Sequence, residues 1–196
     1  MKTLITEFIS LDGVVQAPGG PTEDTDGGFT HGGWSMKYFD PVVMGGLYSE
    51  LAKQSSALLQ GRRTYQVSAA AWPSRSGDVF SDWINSVQKY VVSNTLTAKD
   101  ITWNPTTIIR GNDFAKTVSS LRAQPGGYIY VYGSAAMVRS LLAADLVDEL
   151  LLTLEPIILG GGKTIFASNG KAIPFHLVST AKASTGAQVC RYARAG

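Results

Sequence analysis

One cysteine, two histidines and a charged fraction of 16% are what this 196-residue chain has little of. Each scarcity closes a route. The lone Cys190 permits no intramolecular disulfide and no multi-cysteine metal site, and reads as a small residue in a strand. His31 and His176 are not spaced as a ligand pair and no HExxH occurs, so no metal is expected. The 17 basic residues are scattered, the net charge is +2 and no basic run exists, which argues against nucleic acid as a partner. No apolar run approaches the roughly 20 residues that span a bilayer, so no membrane is expected. The opening "MKTLITEFISLDG" carries Glu7 and Asp12 and lacks a long apolar stretch. It does not read as a secretory signal, and a soluble, cytoplasmic protein is expected. There is no P-loop, no GxGxxG after the first strand pattern and no GxSxG elbow. ATPase, ordinary Rossmann and serine-hydrolase readings lose their support.

What is present is a chain 44% hydrophobic, enough for a packed core. Residues 4–13 alternate apolar with polar and end in Asp12-Gly13, a strand and a turn. Residues 16–33 are crowded with glycine and include Pro18 and Pro21. A stretch of that kind is a lid, a binding loop or a disordered segment. Apolar residues at 43, 44, 47, 48 and 51 have helical spacing, with Asp40-Pro41 as N-cap and first position. Gly45-Gly46 weakens that helix. Strand patterns follow at 56–61, 89–96, 106–113, 128–133 and 148–163, the last broken at Pro156. Helical patterns lie at 62–72, 78–87, 113–127 and 134–146, with Asp113 as a cap and Gly126-Gly127 as a stop. Residues 174–185 and 187–195 alternate around Gly186, which predicts an antiparallel hairpin. Strand–helix alternation predicts one α/β domain over residues 1–196, with a mostly parallel sheet of about eight strands and helices on its faces.

Three strand ends carry small or polar residues just before a helix or loop: Gly61-Arg62-Arg63-Thr64, Ser93-Asn94-Thr95 and Gly133-Ser134-Ala135-Ala136. Ligands of open parallel sheets sit beyond the carboxyl ends of the strands. These segments offer backbone N–H groups at two helix starts, hydroxyls and two guanidinium groups. That set suits a diphosphate or a dinucleotide. Two cations at a helix N-terminus oppose its dipole unless an anion lies between them. Taken singly, each segment is also an ordinary turn or cap. "LGGGKTIF" (159–166) is either a flexible turn or a binding loop.

"FISLDGVV", "LLQGRRTYQ", "YVVSNTL", "IYVYGSAAMVRSLL" and "LVDELLLTLEPIILGGGKTIF", in this order and spacing, resemble the dihydrofolate-reductase-like family. The likeness is to the branch related to the reductase domain of bifunctional riboflavin-biosynthesis enzymes, and it covers nearly the whole chain. The resemblance implies NADPH bound across strand ends. Gly61, Arg62, Arg63 and Thr64 would cradle its phosphates, with Arg62, helped by Asn94, on the 2′-phosphate. Ser93 would line the adenosine side. Gly133, Ser134, Ala135 and Ala136 would receive the diphosphate. Gly160, Gly161 and Gly162 would border the same cleft. Asp12 would lie near the nicotinamide, as the best-placed proton donor, with a bound water as the alternative. The buried acid that dihydrofolate reductases carry on the first helix has no counterpart here, because the matching position is Gly45 with Asp40 and Glu50 about five residues away. The expectation is an NADPH-dependent reductase acting on a small C=N or C=O substrate, a heterocycle related to pterins or pyrimidines. The alternative is a non-catalytic NADPH-binding sensor or interaction protein of the same fold. The apolar carboxyl-terminal hairpin, with Val178, Val189 and Tyr192, predicts a homodimer.

Overall fold

The computed structural model describes residues 1–195. Eight strands form one sheet in the order β4-β3-β2-β5-β1-β6-β8-β7. They are β1 (Lys2–Ser10), β2 (Ser55–Gly61), β3 (Gln88–Val92), β4 (Thr106–Ile109), β5 (Tyr128–Val131), β6 (Glu149–Glu155), β7 (Phe175–Lys182) and β8 (Gln188–Arg194). The pairs β1–β5, β2–β5, β2–β3 and β3–β4 are parallel, while β6–β8 and β7–β8 are antiparallel. The helices are α1 (Gly46–Lys53), α2 (Arg62–Ala71), α3 (Val79–Ser86), α4 (Phe114–Arg122) and α5 (Ala135–Ala143). The mostly parallel sheet, its helices and its closing hairpin agree with the sequence reading.

The chain divides into two compact units, and β1 contributes to both. The first holds Met1–Ile5 and Leu47–Asp148. Its parallel strands read as near-continuous apolar runs because they are covered on both faces. Leu4, Ile5, Leu58, Leu59, Ile129 and Val131 are fully buried. Lys89, at the start of β3, is also fully buried. Its ammonium donates to the carbonyls of Asn85 and Val87 at the end of α3 and lies 4.5 Å from the Trp103 ring. Those carbonyls are the negative pole of a helix, which accounts for a lysine in the core.

The second unit holds Thr6–Gly46 and Glu149–Gly196. Here the glycine-rich stretch is an ordered loop. Val14, Ala17, Phe29, Trp34 and Leu159 make a small core of their own under it. Gln16 pins it from inside. Its side-chain amide donates to the carbonyls of Asp24 and Asp26 and accepts from the Lys163 backbone N–H. The Lys163 ammonium closes the loop against Asp24 (2.6 Å) and Asp26 (2.8 Å). Asp40 does cap the next segment, accepting from Val42 and Val43 N–H. That segment begins as a wider π-type turn, Pro41–Gly45, before α1 takes over at Gly46. The glycine pair thus marks a change of helix type. Asp113 makes no side-chain cap at α4, against expectation; a short 3₁₀ turn, Gly111–Asp113, leads into the helix instead.

Candidate nucleotide-binding site

In the first unit β2 ends on Gly61 and β5 ends just before Gly133. Parallel pairing carries both ends to one edge, Leu58 opposite Tyr130 and Leu59 opposite Val131. α2 starts after Gly61 and α5 after Ser134, and neither N-cap residue makes a side-chain cap hydrogen bond. α3 shows the contrast, because Asp78 accepts from Phe80 and Ser81 N–H at its start. Two helix starts without a side-chain cap, side by side, present backbone N–H groups and two positive dipole ends.

The close approach needs glycine twice. A Cβ on Gly61 would overlap the Ser134 hydroxyl oxygen. Gly133 has φ +65°, and a Cβ there would lie 2.8 Å from Thr64 Oγ1. The Gly133–Ser134 peptide bond is cis. Behind the turns a polar chain joins the three elements. Gln60 Nε2 donates to Ser68 Oγ (3.0 Å), which lies 2.9 Å from Tyr132 Oη. It links the residue before Gly61, the body of α2 and the residue before Gly133.

A cleft of about 270 Å³ opens at this edge. Among the expected residues Gly61, Arg62, Ser134 and Ala136 line it. Arg62 is exposed and donates to Gln66 Oε1 at 3.1 Å. Arg63, Thr64, Gly133 and Ala135 belong to the same two turns but do not line the cleft. Ser93 and Asn94 are engaged locally. The Ser93 hydroxyl accepts from Thr95 and Leu96 N–H, and Asn94 Oδ1 accepts from Gly111 N–H at 2.8 Å. Gly111, Phe114, Met137 and Ser140 also line the cleft and were not anticipated. Gly111 follows β4, a fourth strand end whose "RGND" carried the same small-residue signal as the other three. The residues fit a nucleotide diphosphate: two open helix starts, glycine where a side chain would block approach, and a guanidinium on the wall.

Asp12 and Gly161 lie in the second unit. Asp12 accepts from the Ser10 hydroxyl (2.6 Å) and from the backbone N–H groups of Leu159 (3.1 Å) and Gly160 (2.8 Å). The Ser10 hydroxyl first, then the Leu159 N–H, hold its carboxyl below the ordinary carboxylate range. A carboxyl held in this way favours its ionised form. What it does is hold the glycine turn to the end of β1. The same unit has a shallow depression of about 570 Å³ beside Asp40 and Ser184. Both Asp40 oxygens are taken there, one by Val42 and Val43 N–H, the other by the backbone N–H and hydroxyl of Ser184.

Among the described residues no cluster of three or more His, Cys, Asp or Glu side chains could hold a metal ion. None of their helices is long and apolar enough to cross a membrane.

Comparison with known proteins agrees with the fold. YyaP of Bacillus subtilis (strain 168), itself uncharacterized, is 27% identical over 193 residues, covering 94% of this chain and 90% of YyaP. A putative riboflavin biosynthesis protein from Shewanella sp. PV-4 has the same fold, with TM-score 0.76 and 20% identity over the full length of both chains. Dihydrofolate reductase from Enterococcus faecalis, in complex with NADP(H), shares the fold at TM-score 0.62 and 13% identity, over 100% of this chain and 97% of that one. The family model of the RibD C-terminal domain matches residues 2–189, and the chain belongs to that family.

Proposed function

We propose that this protein is an NADPH-dependent reductase that transfers a hydride to a C=N or C=O bond of a small heterocycle related to pterins or pyrimidines. The observation that carries the reading is the pair of uncapped helix starts, Gly61–Arg62 and Ser134–Ala135, at one edge of the parallel sheet. Family membership supports the reductase class, and the NADP(H) complex of the Enterococcus faecalis enzyme supports the cofactor.

In this reading the N–H groups of the α2 and α5 starts receive the diphosphate, and Gly133 lets the backbone come close to it. Arg62 takes the 2′-phosphate as a charge-assisted pair. Arg63 and Thr64 support the first turn of α2, and Ser93 and Asn94 shape the adenosine rim. Asp12 acts as a positioning residue for the turn that carries Gly161. A bound dihydronicotinamide supplies the hydride. The protein's own contributions are binding, orientation, exclusion of water and a proton.

Tryptophan fluorescence titration with NADPH and NADH tests the reading, since the chain has four tryptophans. NADPH binds more tightly than NADH, and Arg62→Ala weakens NADPH roughly tenfold or more with little change for NADH. Failure of the wild type to bind either nucleotide overturns the reading.

A further inference from the structure

The cleft at the edge of the parallel sheet has two unlike ends, and both lie in the first unit. One end is polar: the two helix starts, with Arg62 and Ser134. The other is apolar. It is made by Val92 at the end of β3, Gly111 after β4, Phe114 at the start of α4 and Met137 in the first turn of α5. The cleft measures about 270 Å³. Pockets that enclose a whole drug-sized ligand run to roughly 300–1,000 Å³, so this one takes one end of a dinucleotide. An adenosine phosphate has the same polarity as the cleft, charged at the phosphates and apolar on the faces of its ring. With the diphosphate at the helix starts, the ring falls on the wall of Phe114 and Met137.

That wall has little with which to hydrogen-bond the edge of a ring. The Gly111 N–H donates to Asn94 Oδ1 at 2.8 Å, and a Cβ on Gly111 would lie 3.0 Å from Asn94 Nδ2. The Asp113 N–H donates to the Arg110 carbonyl, and the Phe114 N–H to the Gly111 carbonyl. The Arg110 guanidinium, beside Gly111 in sequence, donates to the carbonyls of Ser93 (2.9 Å) and Leu96 (2.8 Å). On α5 the Ser140 hydroxyl donates to the Ala136 carbonyl of its own helix at 3.1 Å. Among the described residues that line the cleft, the other polar side chains are Arg62 and Ser134, at the phosphate end.

We infer that the cleft holds the base of its nucleotide by the ring faces and leaves the hydrogen-bonding edge unread. The protein then selects its cofactor by the phosphate at Arg62 and accepts another purine in place of adenine. The inference rests on the NADPH reading above. A site built to hydrogen-bond a group rejects the analogue lacking it by roughly 10⁴-fold or more, because buried partners are left unpaired. An apolar wall has no such partner to strand. Stacking on an aromatic face tolerates any base, since every base has a π-face. Replacing the adenine amino group by the oxo group of hypoxanthine changes the edge and keeps the faces and the 2′-phosphate.

Tryptophan fluorescence titration tests this without turnover, using NADPH, NADH and reduced nicotinamide hypoxanthine dinucleotide phosphate. NADPH and the hypoxanthine form bind within about threefold of each other, and NADH binds more weakly than both. A hypoxanthine form that binds tenfold or more weakly than NADPH overturns the inference and leaves the NADPH reading standing. Failure to bind any of the three removes the reading itself. Phe114→Leu keeps the wall apolar and removes its aromatic face. In this variant, with folding checked by thermal unfolding, both NADPH and the hypoxanthine form weaken by the same factor, roughly fivefold or more. Met137→Gln, of similar length, puts an amide on the wall and makes the two forms differ by roughly threefold or more. Unchanged affinities in either folded variant take the ring away from this wall and overturn the inference.

Discussion

Gly61 and Ser134 stand so close that a methyl group on the glycine would overlap the serine hydroxyl oxygen. They come from strand ends far apart in sequence, and Gly61 N–H points to the Gly133 carbonyl at 3.4 Å. Gly61→Ala therefore forces the two turns apart. We expect a loss of about 1–3 kcal/mol in stability from overpacking and weaker nucleotide binding. Denaturant unfolding and an NADPH titration read the two effects separately.

The second unit is expected to loosen locally when the Lys163 clasp is cut. Lys163→Met removes both contacts to Asp24 and Asp26 but leaves the Gln16 bonds and the small core under the loop. The ion pairs are partly exposed, so global stability changes by about 1 kcal/mol or less. Hydrogen exchange should accelerate across residues 20–33 and stay unchanged in β2, β3 and β5.

Opposite pH responses are expected from carboxyl groups of the second unit. Hydrogen bonds, the Ser184 N–H foremost, lower Asp40 to about 2. A lowered folded-state pKa contributes stability that is present above the unfolded value of 3.8 and lost as pH falls toward about 2. Burial raises Glu155 to about 7, so its contribution is complete below its unfolded value of 4.5 and is lost as pH rises through 7. Unfolding curves should show Glu155→Gln losing the decline between pH 4.5 and 7. Asp40→Asn should lose part of the acid-side decline.

β7 is the outer strand of the sheet beside β8, and residues 176–182 of it are exposed. Leu177 and Val178 are each more than half exposed. An edge of that kind is a template for pairing with another chain, which supports the expected homodimer. Light scattering at micromolar concentration should give twice the chain mass, and Val178→Lys should reduce it to one. A wild-type monomer would remove the dimer.

Much of the architecture was legible in the chain because it is written in local patterns. β2, α2, α3, β5 and α5 fall within a few residues of their sequence limits, since apolar periodicity and the glycine stops act over one or two turns. Gly186, with φ +91°, turns the hairpin as its flanking alternation required. The local turns around Gly61 and Gly133 were visible too. What those patterns could not convey was how long-range contacts would use them. The glycine-rich loop looked open to disorder, yet Gln16, Lys163 and a five-residue core hold it. Asp12 looked like a turn aspartate next to chemistry, and its carboxylate also receives the N–H groups of Leu159 and Gly160, nearly 150 positions away.

The sequence by itself determined the order of strands and helices, the hairpin and the three small-residue strand ends, because side-chain periodicity and backbone sterics are local properties. The tertiary structure decided which helix starts stay uncapped, which glycines have no room for a side chain and which carboxyl groups are buried or hydrogen-bonded. Those depend on groups brought together from distant parts of the chain. A protonation state follows from such surroundings, through burial and hydrogen bonding, and not from the identity of the residue.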